Sequence, residues 1–445
     1  MNDKARSIPP VMLPREIEER LARFDGVARV GRVIAVTGTV IRAELPEGRI
    51  GEICRVKRPG QVELDVEVVG FDREGVILMA LGAMEGVEAG AAVMPAGRVL
   101  LTPCGPEVRG RVLDALGRPI DSKGSLGIEE RGPLTAPPPP PLSRARIREP
   151  LVTGVRALDA CLTIGRGQRM GIFAPPGVGK SSLLSMIARN VQADLIVLAL
   201  VGERGREVAG FIEDDLSEEG LERAAVVVST SDQPALLRLR AAHTALAIAE
   251  AARSRGEHVV LLMDSVTRFA RALREVGLAA GEPPGRQGFP ASVFAELPRM
   301  FERAGTAESG SITGFYTVLT PTDDFEEPVA EETMGLLDGH VILSRELASR
   351  GLYPAIDIVR SKSRVMREIA TPQHQAAAVK AVRLVAAHQR NYDKISCNAY
   401  EPGSDPTVDE AIARIGAIEG FLAQARHDVS PFEASVAGLR HATGA

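Results

Sequence analysis

The sequence predicts an α/β chain in three parts: a small N-terminal β-barrel, a central parallel sheet covered by helices, and a C-terminal helical domain. Three observations predict it. Short apolar runs of β character, punctuated by Gly and Pro, fill residues 30–98, the texture of a small barrel. Continuous apolar runs alternate with helical segments from about 150 to 370, as strands buried on both faces require. Beyond about residue 371 the pattern turns helical. The boundaries drawn from these shifts are 1–25 for an amphipathic segment, 26–98 for the barrel, 99–150 for a proline-rich linker, 151–370 for the core and 371–445 for the helical domain.

Composition narrows the function classes. A length of 445 residues suits two or three domains, and 45% hydrophobic with 25% charged residues is ordinary for a globular chain. A formal net charge of −5, 4% aromatics and no Trp count against a nucleic-acid partner. Cys54, Cys104, Cys161 and Cys397 are far apart and form no zinc-binding spacing, so reduced thiols are expected. No apolar run approaches the roughly 20 residues of a spanning helix, and Met1–Pro10 lacks the apolar stretch of a signal peptide. A cytoplasmic chain is expected, with any membrane contact peripheral.

Taken in order, Arg15–Phe24 reads as a short amphipathic helix, with Ile17, Leu21 and Phe24 on one face. It either packs on its own domain or docks on a partner or membrane surface. Gly31–Val36, Thr39–Arg42, Val62–Val69 and Gly75–Met79 read as barrel strands, and Phe71 is the barrel's one aromatic. Gly110–Asp121 reads as a turn-rich link. Pro137–Pro141 must be extended and forms a stiff crossing between domains. Leu195–Val201, Ala224–Val228 and Val259–Met263 read as buried strands. In the last part, Thr407-Val-Asp-Glu410 has the spacing of a capping box, with Ile412, Ile415, Ile418 and Leu422 following on one face.

The chemistry concentrates at strand ends. Arg169–Ala174 reads as a strand leading into Pro175-Pro-Gly-Val-Gly-Lys-Ser-Ser-Leu-Leu184, a tight loop that opens a helix. That context makes a phosphate-binding loop. Gly177 and Gly179 let backbone N–H groups turn toward phosphate oxygens, and the helix N-terminus adds partial positive charge. Lys180 reaches the β- and γ-phosphates of ATP, and Ser181 holds Mg²⁺; Pro176, Val178 and Ser182 complete the nucleotide-binding stretch. Ala174 stands where such loops usually begin with Gly. Asp264 ends the Val259–Met263 run, where a carboxylate serves Mg²⁺ through its water shell. In Gly202-Glu-Arg-Gly-Arg-Glu207, Glu203 is the expected base that orients water, Glu207 a supporting carboxylate, and Arg204 a neutraliser of γ-phosphate charge. Arg364, in Ser361–Met366, is by spacing alone one Arg among many; a guanidinium reaching a neighbour's γ-phosphate would stabilise charge in the transition state.

These segments resemble one family. Gly202–Glu207, Met263–Arg271, Gly281–Pro284, Gly288–Phe294, Gly310–Thr313, Leu337–His340 and Tyr353–Asp357 are similar to the ATPases of type III protein export, which serve the injectisome and the flagellum and resemble catalytic subunits of rotary ATP synthases. The resemblance runs from about residue 25 to the C-terminus. It implies a RecA-like P-loop core and a homohexameric ring with nucleotide sites between subunits. It implies that Glu203 is catalytic, that Arg204 and Arg268 line the γ-phosphate side, that Arg364 acts in trans and that Tyr353 stacks on adenine. The implied partners are a stator-like regulator met by the N-terminal helix, a central stalk protein, chaperone–substrate complexes received by the C-terminal domain, and the export gate. The implied location is the cytoplasmic face of the inner membrane. Pro175-Pro176, Thr320–Phe325 and Asn391–Tyr400 depart from the family pattern. The Gly288–Phe294 and Glu401–Asp405 segments lean toward the injectisome. A rotary synthase subunit and a Rho-type RNA translocase are the alternatives.

Overall fold

The computed structural model describes residues 30–127, 130–320 and 327–445. The helix expected at Arg15–Phe24, and all of the Thr320–Phe325 stretch but its first residue, lie outside them. Six strands, β1 (Gly31–Thr37), β2 (Val40–Glu44), β3 (Glu52–Val56), β4 (Leu64–Asp72), β5 (Gly75–Ala80) and β6 (Ala92–Val99), close into a barrel in the order β1-β2-β5-β4-β3-β6. Every ladder is antiparallel. Alternate residues such as Ile41 and Ala43, Cys54 and Val56, and Val66 and Val68 point into one apolar core, as the strand period of two demands. β3 and β6 carry weak sequence signals, since Pro95 and Gly97 interrupt β6.

The core sheet begins inside the stretch expected as a linker. β7 (Leu101–Pro103) pairs with β9 (Arg131–Pro133), while β8 (Arg111–Asp114) joins the main sheet as its edge. Gly110–Asp121 reads as a turn-rich link because Gly110, Gly117 and Pro119 frame a strand of only four residues. The pairing partner of β8 lies far along the chain, and nothing local announces it. Next come β10 (Arg169–Ala174), β11 (Leu195–Glu203), β12 (Ala224–Thr230), β13 (His258–Asp264), β14 (Gly305–Thr306), β15 (Ser311–Leu319), β16 (Gly339–Ile342) and β17 (Lys362–Ser363). Their order is β17-β16-β10-β15-β13-β11-β12-β8, with β14 attached to β15. Neighbours from β16 to β8 are parallel, and β14 and β17 are antiparallel.

Both faces of this sheet are covered, and the strands show it residue by residue. Leu195, Val197, Ala199 and Val201 of β11 enter one apolar cluster with the helices Ala235–Ser254, Val266–Ala279 and Ala291–Glu302. Ile196, Leu198 and Leu200 enter the opposite cluster with the helix Lys180–Asn190 and with Ala377, Ala381 and Leu439 of the C-terminal domain. Continuous apolarity is therefore the sum of two alternating patterns. The barrel is clasped to the core by a charge: Glu67, 4% exposed, accepts hydrogen bonds from Nε and Nη2 of Arg240 in the Ala235–Ser254 helix. Bidentate geometry of this kind fixes orientation as well as distance.

The C-terminal domain consists chiefly of the helices Pro372–Arg390, Pro406–Leu422 and Phe432–Thr443. The expected capping box at Thr407 is corrected. Asp405 is the cap, accepting from the backbone N–H of Thr407 and Val408 at 2.8 and 3.4 Å. Pro406 takes the first helical position, where a missing N–H costs nothing, and Glu410 instead pairs with Lys380 at 2.8 Å. The buried stripe is also turned: Val408, Ala411 and Ile418 face inward, whereas Ile412 is 39% exposed. Among the described residues no helix is long and apolar enough to cross a membrane.

One buried ion pair offers a test of the core. Glu250 accepts from Nε and Nη2 of Arg303 at 2.8 and 2.7 Å, and both residues are less than a tenth exposed. Glu250→Ala strands a buried guanidinium and is expected to cost about 3–5 kcal/mol, whereas replacing both partners by apolar residues of similar volume recovers most of that. Denaturant midpoints of the single and double variants check it.

Candidate active site

β10 ends at Ala174 in extended conformation, paired with Leu319 of β15, so a Cβ is accommodated where such loops commonly place Gly. The chain then turns through Gly177 and Gly179, whose φ values of 82° and 92° lie in the left-handed region. At Gly177 the requirement is conformational alone, since an added Cβ would meet nothing within 4 Å. At Gly179 it would also touch the Tyr353 ring, at 3.4 Å. The helix starts at Lys180, and no side chain caps it. Its first-turn N–H groups and its dipole therefore remain for an anion.

Two carboxylates meet the lysine that opens this helix. Glu203 ends β11 and Asp264 ends the neighbouring β13, with Leu200 in register with Asp264. They are 7% and 6% exposed. The Lys180 ammonium pairs with Asp264 Oδ1 and lies 3.6 Å from Glu203 Oε1. Thr317 Oγ1, from the intervening β15 side, donates to Asp264 Oδ1 at 2.7 Å. Arg268 Nη2 donates to Glu203 Oε2 at 3.2 Å. Arg268 is itself placed by a helix cap, because Ser265 Oγ accepts from its backbone N–H at 3.3 Å.

The backbone aims Glu203. The β11–β12 register shifts between Val201 and Glu203, a bulge that re-aims a side chain at the strand tip. Gly202 within it has φ 71°, and a Cβ there would stand 3.0 Å from Arg268 Cδ. Burial pushes the Glu203 carboxyl up to about 7, and the Asp264 charge adds to it; Lys180 and Arg268 pull the other way without cancelling the effect. Glu207, which shares a hydrogen bond with Glu203, is held below the ordinary carboxylate range. Glu203 Oε1 is buried with no hydrogen-bond partner among the described residues.

These groups face a cavity of about 320 Å³ whose walls include Ser181, Ser182, Glu203, Glu207 and Asp264. The Ser181 hydroxyl and the Asp264 carboxylate supply oxygen alone, a donor set that fits a hard cation such as Mg²⁺. Lys180, Ser181, Ser182, Glu203, Asp264 and Arg268 thus come together as the sequence suggested, and Tyr353 lies against the loop with 45% of its surface exposed. Arg204 is placed differently. Its side chain is 67% exposed and pairs with Glu207 at 3.1 Å, outside the Lys180 cluster.

Arg364 lies at the other end of the sheet. Its backbone N–H donates to Asp338 O at 3.0 Å, and Asp338 Oδ2 accepts from the N–H of Arg169, the first residue of β10. The phosphate loop follows the last. β10 spans six residues, so at roughly 3.3 Å per residue Arg364 and the loop stand about 20 Å apart along the sheet. Sequence reasoning missed Thr317, and it missed Asp215 and Arg426, which also line the cavity. Thr317 had a usable signal in the apolar, β-branched run Ile312–Leu319, which reads as a strand; the other two had none.

Comparison with known proteins adds the family. The nucleotide-binding domain of the ATP synthase alpha/beta family matches residues 154–363, and the T3SS EscN ATPase C-terminal domain matches residues 370–441. The type 3 secretion system ATPase of Xanthomonas euvesicatoria is 48% identical over 95% of this chain and 96% of its own length. The flagellum-specific ATP synthase of Bacillus subtilis is 47% identical over 94% and 96%. The assembled ATPase EscN from the enteropathogenic E. coli type III secretion system superposes with a TM-score of 0.89 at 43% identity, over 93% of this chain and 100% of that one. Barrel, P-loop core, C-terminal helices and relatives agree: the chain belongs to the ATP synthase alpha/beta family, among its type III secretion and flagellar export ATPases, and is an ATP hydrolase.

Proposed function

We propose that the chain works as a homohexameric ring that hydrolyses ATP between subunits to drive type III protein export, releasing chaperones and unfolding substrates. The observation that carries the reading is the pair of buried carboxylates Glu203 and Asp264, met by Lys180 and Arg268 beside an uncapped helix N-terminus. In this reading the N–H groups of Pro176–Ser182 other than the proline hold the phosphates. Lys180 exchanges Asp264 for the β- and γ-phosphates when the triphosphate enters. Ser181 and Asp264 would hold Mg²⁺, which would supply charge neutralisation for the triphosphate. Glu203 orients the attacking water through Oε1, which takes part in no hydrogen bond among the described residues, and Arg268 keeps it aimed. Tyr353 packs on the adenine. Arg204 joins the γ-phosphate side when a neighbour docks.

Arg364 is the group the neighbour lends. At about a strand's length from its own loop it serves another chain's phosphate, and the assembled form of EscN supports a ring that brings the two together. EscN is also described in complex with its central stalk EscO, and a stalk protein of that kind is proposed here. A stator-like regulator, chaperone–substrate complexes and the export gate complete the partners, at the cytoplasmic face of the inner membrane. The injectisome is favoured over the flagellum on the Gly288–Phe294 and Glu401–Asp405 segments.

Three outcomes test this. Glu203 orients water only when ionised, and the ionised fraction rises with pH; kcat/KM is therefore expected to climb through a limb near pH 7. Arg268→Gln removes a charge that lowers the Glu203 pKa and should move that limb upward. Glu203→Gln and Arg364→Ala are each expected to lose roughly 10²–10⁴ and 10³–10⁵ in turnover. Mixed rings of the two should regain part of it, since each chain lends what the other lacks; mixed rings without recovery would reject the trans arrangement. Deleting the gene should stop injectisome secretion and leave swimming intact, and lost motility would assign the chain to the flagellum.

A further inference from the structure

The cavity beside Ser181 continues past the phosphate loop. Its far wall is the one-turn π-helix Phe211–Leu216 together with Arg426, which comes from the segment between the last two helices of the C-terminal domain. Arg426 Nη2 forms an ion pair with Asp215 Oδ1, and the two side chains are 39% and 10% exposed. Each partner is pinned separately to the phosphate-loop helix. Ser185 Oγ donates to the Asp215 carbonyl at 3.2 Å. Arg189 donates to the Arg426 carbonyl and meets His427 Nδ1 at 2.9 Å. Arg426 Nε is buried and has no hydrogen-bond partner among the described residues. A guanidinium with donors to spare thus stands in the wall of the cavity that opens beside the phosphate loop, paired with one carboxylate.

We propose that Arg426 is a nucleotide contact held in reserve by Asp215. When the nucleotide enters, its phosphate oxygens compete with Asp215 for the guanidinium, and the exchange carries the binding event into the C-terminal domain. Asp215 is then a positioning residue that acts through Arg426. The inference rests on the reading of this cavity as the nucleotide site.

The test is equilibrium binding of fluorescently labelled ADP, with magnesium, to the full chain and to Asp215→Asn, Arg426→Ala and the double variant. Removing the competitor should tighten ADP binding about threefold to tenfold in Asp215→Asn, by freeing the binding-competent arginine. Arg426→Ala should weaken it comparably, and the double variant should match Arg426→Ala. A merely structural ion pair predicts that Asp215→Asn weakens binding or leaves it unchanged, and either result overturns the proposal. So does equal tightening by Asp215→Asn with and without Arg426, which would mark simple charge repulsion. Arg426→Lys, which keeps the charge, should retain part of the affinity; complete loss there with an intact circular dichroism spectrum also counts against it. Lys180→Ala separates the levels: parent affinity in that variant removes the nucleotide reading itself, whereas lost affinity beside a silent Asp215→Asn removes the latch alone.

Discussion

The Lys180 ammonium lies between two carboxylates, Asp264 and Glu203, each less than a tenth exposed. Two such groups buried together repel one another and lose solvation, and neither tolerates both costs without a cation. The lysine offsets them in the free chain, and the same charge is mobile enough on its four-carbon stem to serve a phosphate. The rest of the architecture supports this arrangement. Parallel strands bring Glu203 and Asp264 to the same carboxyl ends of the sheet, β10 delivers the loop to that end, and helices on both faces keep the strands dry.

The C-terminal helices are fastened to the same place. Gln424, 4% exposed, donates its backbone N–H to the Tyr353 carbonyl at 2.8 Å and its side-chain amide to Gly154 O at 2.8 Å, while its Oε1 accepts from Arg156 N–H at 2.8 Å. One residue therefore ties the last domain to the aromatic beside the phosphate loop through its backbone, and to the start of the core through its side chain. At the opposite boundary, Glu67 and Arg240 fix the barrel. The two joints differ in kind. The barrel joint is a buried bidentate ion pair that takes no part in the cavity wall, whereas Gln424 of the C-terminal joint stands two residues before Arg426, which does.

Much of this was legible in the sequence because its signals are local. A glycine-rich turn between a strand and a helix states its own geometry, and Glu203 and Asp264 were found as carboxylates closing apolar runs. The two-faced burial of β11 could be read from unbroken apolarity. What escaped depends on chain segments distant in sequence. β8 is four residues that become a strand only beside β12, and Asp215 is one acid in a charged stretch until Arg426 arrives. The cap at Asp405 was misplaced by two residues because Thr407 and Glu410 matched a pattern whose partners Pro406 and Lys380 had claimed. Tyr353 and Arg268 entered through family resemblance, and no spacing argument pointed to either.

The bulge at Gly202 gives the carboxylate a setting that differs from that of an ordinary surface acid. Exposed side chains hop between rotamers within nanoseconds, and an acid steered by its own torsions would wander with them. Here the Cα–Cβ direction is written into peptide units paired with β12, and it changes only if that ladder opens. Whatever passes through the cavity, turnover after turnover, meets a pointer mounted on the frame rather than on a hinge.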